Sequence, residues 1–173
     1  KKYFKNIKKL VIKGGIAAAK KKNKVKIAHF KDKDDLSTET DLLVEDIIFK
    51  YISKKCPGHG FISEERGGYQ TDADYVWILD PIDGTKYYAK GLPLYSISLA
   101  LEYKGNVIQG IVYIPETNQL FCAHCYAKKG SVLNKKKIHC SDEKELKNID
   151  VCLEIPSRNS PPEKLLNAME KLK

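Results

Sequence analysis

In the N-terminal part of the chain, apolar residues recur at helical spacing. Phe4, Ile7, Leu10, Val11 and Ile16 fall on one side of a helical repeat, so residues 3–22 read as a helix. A polar break from Lys21 to Lys26 follows, and Val25 to Phe30 reads as a short strand. A second helix is predicted from Ser37–Thr40 onward. Leu43, Ile47, Ile48, Tyr51 and Ile52 share one of its faces, and Cys56-Pro57-Gly58 ends it. Beyond that turn the pattern becomes that of strands. Gly60 to Ser63 reads as a strand ending at Glu64, and Gly67-Gly68 as a flexible turn. Val76 to Leu79 reads as a buried strand that stops at Asp80, where Pro81 turns the chain into a short helix opened by Thr85. Tyr95 to Tyr103 and Val107 to Ile114 form a hairpin about Lys104-Gly105-Asn106. Leu120 to Tyr126 and Ser131 to Leu133 continue the sheet. Ile149 to Ile155 adds a strand, and a terminal helix starts at Pro161 or Pro162. Helices first and strands afterwards predict an α+β fold, with two helices on a mostly antiparallel sheet.

Composition narrows the function classes. The chain has 173 residues, 42% of them hydrophobic, enough for a core. No apolar run is long enough for a membrane span, so no membrane partner is expected. The net charge of +9 raises the question of nucleic acid. Nearly all of the positive charge is Lys, scattered along the chain, and only Arg66 and Arg158 are Arg. Base and phosphate recognition favours Arg forks, so a solvated Lys-rich surface is the preferred reading. Five cysteines without the spacing of a disulfide scaffold point to a reducing cytoplasm. Cys122 and Cys125 look like half a zinc site. Residues three apart on a strand face opposite sides, which argues against a shared metal.

The most informative stretch is Trp77-Ile-Leu-Asp80-Pro81-Ile82-Asp83-Gly84-Thr85. Two carboxylates three residues apart, leaving a strand together, can converge on one point and make the oxygen cage that Mg²⁺ prefers. Gly84 permits close backbone approach, and Thr85 at a helix start would aim N–H groups at a phosphate. Taken alone, Asp80 and Asp83 read better as turn residues of an Asp-Pro-x-Asp-Gly loop. Upstream, Thr38-Glu39-Thr40-Asp41 is a capping box, with Thr38 as N-cap and Asp41 at the third helical position.

Asp80-Pro81-Ile82-Asp83-Gly84-Thr85 resembles the signature of the inositol monophosphatase family of Mg²⁺-dependent, often lithium-sensitive phosphatases. Asp35-Leu36-Ser37-Thr38-Glu39-Thr40-Asp41 and Phe61-Ile62-Ser63-Glu64-Glu65 resemble two further family segments in the right order. Gly91-Leu92-Pro93-Leu94 through Tyr113-Ile114-Pro115 also fits. The resemblance implies the N-terminal half of a layered αβαβα sugar-phosphatase fold. It divides the chain into an α+β metal- and phosphate-binding domain over 1–147 and the start of a C-terminal α/β domain over 148–173. A last metal-binding Asp is expected beyond Lys173.

The resemblance also assigns roles. Glu64, Asp80, Asp83 and the Ile82 carbonyl become Mg²⁺ ligands, with Glu65 behind them or facing solvent. Asp83, Gly84 and Thr85 become phosphate-binding residues. Asp41 pairs with Thr85 and orients or deprotonates the attacking water, which its capping role does not exclude. The implied activity is hydrolysis of a small phosphorylated metabolite by a metal-activated water, without a covalent phospho-enzyme, in a homodimer. Inositol monophosphate leads. A 3'(2'),5'-bisphosphate nucleotide, fructose 1,6-bisphosphate and histidinol phosphate are alternatives, since Lys86-Tyr87-Tyr88 stands where inositol monophosphatases commonly carry Thr-Asn-Phe. The alternative of another class is a non-catalytic member that binds RNA or protein.

Overall fold

The computed structural model describes residues 2–32, 35–125, 130–150 and 170. The chain divides into one compact unit, Lys1–Ile138, and a second, His139–Lys173. In the first unit the order is α1 (Lys2–Lys21), β1 (Ile27–Asp32), β2 (Asp35–Thr38), α2 (Glu39–Lys55), β3 (Gly60–Ser63), β4 (Gly67–Tyr69) and β5 (Tyr75–Asp83). Then come α3 (Thr85–Ala89), β6 (Ser96–Tyr103), β7 (Asn106–Ile114), β8 (Gln119–His124), β9 (Val132–Leu133) and β10 (Lys136–Lys137). β1 and β2 form a separate hairpin. The other eight strands make one sheet in the order β10-β9-β8-β7-β6-β5-β3-β4. Its described pairings are antiparallel except that of β3 with β5. This is the α+β architecture expected from the pattern of elements.

The two long helices lie against the sheet, α2 over β5 and α1 over β6 and β7. Ile7, Val11 and Ala18 of α1 and Val44, Ile48 and Ile52 of α2 are buried with Phe61, Trp77, Leu79, Ile97, Leu99, Ile111 and Tyr113. The helix contact with β7 is close. A Cβ on Gly15 would sit 2.5 Å from the Tyr113 ring, so only glycine fits there. The capping box is as expected: Thr38 caps α2, and the Asp41 carboxylate accepts the Thr38 N–H at 2.8 Å.

Two local expectations are corrected. Gly67-Gly68 is not the turn. The turn is Glu64-Glu65-Arg66, and Gly67, at φ +74°, starts the edge strand β4 with Ser63 opposite it. A three-residue hairpin loop needs a left-handed residue at that place, and glycine adopts it without strain. Strand β5 does not stop at Asp80. It runs on through Pro81 to Asp83, because the pairing with β6 slips by one residue between Asp80↔Ser98 and Asp83↔Ser96. Such a bulge accepts a proline, which has no N–H to donate to the ladder. Thr85 opens α3 as expected, as its first helical residue, with Gly84 as the N-cap at φ +91°.

In the second unit, Leu146–Asn148 make a short 3₁₀ turn whose start is held by the Glu143 carboxylate, accepting from the N–H groups of Lys144 and Glu145 at 2.9 Å. The strand expected to reach Ile155 and the helix expected from Pro161 or Pro162 lie outside the described residues. Among the described residues, no helix is long and apolar enough to cross a membrane.

Candidate metal and phosphate site

The parallel pair β3/β5 brings two acidic segments to one end of the sheet. Its register matches Ser63 with Leu79, so one step further along Glu64 leaves the sheet opposite Asp80. Glu64 opens the hairpin turn and is exposed. Asp80 remains in β5 and is half-buried. The bulge then breaks the in–out alternation: Pro81 and Ile82 are both buried and Asp83 is exposed. Asp83 Oδ2 accepts from the Ser96 hydroxyl at 3.3 Å, on the facing strand. Gly84 follows at its positive φ. A Cβ there would lie 2.6 Å from the Leu94 carbonyl oxygen, so both space and conformation require glycine.

Asp41 reaches the same end from the start of α2. Its side chain is fully buried, and the Thr38 hydroxyl and N–H both donate to Oδ2. Thr85 Oγ1 lies 3.4 Å from Asp41 Oδ1 and 2.7 Å from the Ile82 carbonyl oxygen. One hydroxyl proton serves one acceptor, and the shorter bond takes it to Ile82. Thr85 therefore sits between the candidate base and a carbonyl the sequence reading put among the ligands. Tyr88 braces this corner. Its hydroxyl lies 2.9 Å from the Ala18 carbonyl oxygen and 3.1 Å from Thr40 Oγ1, tying α3 to α1 and α2.

The electrostatics follow from the crowding. Asp80 is pushed up from an ordinary 3.8 to about 7, first by burial and then by the charges of Asp83, Glu64 and Asp41. Its Oδ1 is buried without a hydrogen-bond partner. Asp41 is pushed up to about 6, again first by burial, against the lowering effect of Thr38; the Glu65 charge adds to the rise. An orphaned carboxylate oxygen amid further carboxylates is the donor chemistry a hard divalent cation takes, so the residues fit Mg²⁺. Among the described residues, no three His, Cys, Asp or Glu side chains stand in a group that could hold a metal ion. Cys122 is buried and Cys125 exposed, its Sγ 3.2 Å from the Val107 carbonyl oxygen.

Sequence reasoning missed Glu45, Ser63, Arg66 and Ser96. Glu45 could have been found: it is a charged residue on the buried stripe Asp41, Val44, Glu45, Ile48, Ile52 of α2, and a buried charge demands a partner.

Two helices thus lie on a sheet that carries acidic residues at the ends of a parallel strand pair. The inositol monophosphatase family profile matches residues 4–173, and the chain belongs to that family, whose members are phosphatases and generally metal-dependent. It is 42% identical over 88 residues to an inositol-1-monophosphatase of Mesorhizobium japonicum, covering 50% of this chain and 33% of that protein. It is 33% identical over 162 residues to a fructose-1,6-bisphosphatase/inositol-1-monophosphatase of Aquifex aeolicus, covering 92% and 60%. Among solved structures, a Thermotoga maritima IMPase superposes with a TM-score of 0.74 at 30% identity, over 82% of this chain and 55% of the other. The chain spans about half the length of the curated relatives it matches.

Proposed function

We propose that the full-length protein is a Mg²⁺-dependent phosphomonoesterase acting on a small phosphorylated metabolite, with inositol monophosphate the first substrate to test. The observation that carries this reading is Asp80: a buried carboxylate oxygen without a partner, beside Asp83, Glu64 and Asp41. In it, Glu64, Asp80, Asp83 and the Ile82 carbonyl hold the cation. Bound there, Mg²⁺ supplies neutralising charge to the phosphoryl oxygens and lowers the pKa of a water. Asp41 Oδ1 accepts the proton of the attacking water. Its raised affinity for protons suits a base working near neutral pH. Thr85 keeps its hydroxyl within reach of Asp41, and the backbone at Gly84 and Thr85 lets the phosphate come close. The same reading places the protein in the cytoplasm as a homodimer, in keeping with the free thiols of Cys56, Cys122, Cys125 and Cys140 and with the resemblance.

The test is phosphate release by the full-length protein with Mg²⁺. Substrates are inositol monophosphate, fructose 1,6-bisphosphate, an adenosine 3',5'-bisphosphate and histidinol phosphate, each run beside an EDTA control. Release that EDTA abolishes supports the reading, and the preferred substrate names the branch. A folded protein that turns over none of the four but retains RNA in a salt-dependent manner would belong to the binding class instead.

A further inference from the structure

Three side chains of α2 reach the hairpin turn that carries Glu64. Glu45 Oε1 lies 2.9 Å from Arg66 Nε. Its other oxygen accepts the Arg66 N–H at 3.1 Å and the Ser63 hydroxyl at 2.6 Å. Asp46 Oδ1 accepts from Arg66 Nη2 at 2.7 Å. The guanidinium carbon lies 4.4 Å from the centre of the Phe49 ring, which meets Phe61 of β3 and Tyr69 of β4 edge-on at 5.1 and 5.8 Å. The Glu45 side chain is 2% exposed, so its charge depends on these partners. The planar fork of Arg66 serves two carboxylates and a ring together, which no other side chain does as well.

We infer that Arg66 is a positioning residue for the metal site. It locks the 64–66 turn onto α2 through Glu45 and Asp46 and thereby sets where Glu64 leaves the sheet opposite Asp80. The inference rests on the reading of Glu64 and Asp80 as cation ligands.

Two effects of Arg66 on a nearby cation have opposite signs. Its charge repels the cation, so loss of the charge alone tightens binding. Its grip on the turn favours the cation, so loss of the grip weakens binding. The experiment is Mg²⁺ calorimetry on the full-length protein and its Arg66→Ala and Arg66→Lys variants, with thermal melts to show folding and phosphate release across a Mg²⁺ series. Glu45→Gln with Arg66→Met is the fallback should Arg66→Ala not fold, since it leaves no buried charge unpaired. Arg66→Ala, or the double variant in its place, should weaken Mg²⁺ binding about tenfold or more, as loss of a support behind metal ligands does. Arg66→Lys should recover part of the loss, and kcat at saturating Mg²⁺ should stay within about twofold of wild type. Folded variants that bind Mg²⁺ as tightly as wild type, or more tightly, overturn the inference and leave the site reading standing. A loss confined to kcat overturns it as well. A wild-type protein that binds no Mg²⁺ overturns the site reading, and the inference falls with it.

Discussion

Strand β5 has two unlike ends. From Tyr75 to Leu79 its pairing with β3 and β6 is regular, and its polar groups find partners. Trp77 is almost fully buried, and its ring N–H donates to His59 Nδ1 at 3.0 Å. Burial holds His59 below its ordinary 6.5, which keeps the imidazole neutral and able to accept that bond. The His59 ring stacks on Tyr75 at 4.9 Å, and Tyr75 packs on Tyr103 at 4.6 Å. From Asp80 to Asp83 the ladder slips, two neighbouring residues are buried, and Asp80 keeps an unpaired oxygen among like charges. The first end stabilises the fold. The second costs stability and, on the reading proposed above, carries the chemistry. Departures from local regularity gathered at one place are what a functional site looks like in an otherwise consistent fold.

The sharpest way to break this comparison is Asp80→Asn. Phosphate release by the full-length protein should fall by roughly two orders of magnitude or more, since a charged ligand is lost. In EDTA the same variant should be more stable than wild type by about 1–2 kcal/mol, because a poorly solvated charge beside other carboxylates is gone. Urea unfolding in EDTA measures the second effect, and a less stable variant would mean that Asp80 is no strain on the fold.

Trp77→Phe tests the opposite end. It removes the bond to His59 and part of a buried side chain and should cost about 2 kcal/mol in urea unfolding. Asp80 is three residues along the strand, about 10 Å away. Mg²⁺ affinity should therefore be unchanged, and a large drop would show that the two ends are coupled.

The smallest effect compares a paired carboxylate with the unpaired one. Glu116 meets Lys22 at 2.9 Å and accepts the Tyr95 hydroxyl at 2.8 Å. Its pKa lies below the ordinary 4.5, first through Lys22, with burial opposing the shift and Tyr95 adding to it. A lowered carboxylate contributes stability that is present above its unfolded pKa and lost as pH falls through its folded one. Glu116→Gln should thus cost about 0.5 kcal/mol at neutral pH, and the difference in Tm from wild type should shrink below pH 4.5 and vanish in acid. A difference that persists in acid would assign the effect to packing.

Much of this was written in local sequence. The amphipathic stripes of α1 and α2, the Thr38 to Asp41 capping box and the Lys104-Gly105-Asn106 hairpin depend on neighbours a few residues apart, and periodicity and turn chemistry read such neighbours directly. The hexapeptide around Asp80 and Asp83 was legible through its resemblance to a family signature. What needed the tertiary structure was pairing between distant segments. That β3 and β5 run parallel, which sets Glu64 opposite Asp80, follows from sheet order. The slip that carries β5 past Pro81 follows from the register with β6, since a proline is read as a break until the facing strand shows a bulge to hold it. Nothing in the local sequence singled out Arg66. Only the fold brought Glu45, Asp46 and Phe49 of α2 against it, and a buried carboxylate takes its partner from whatever the packing supplies.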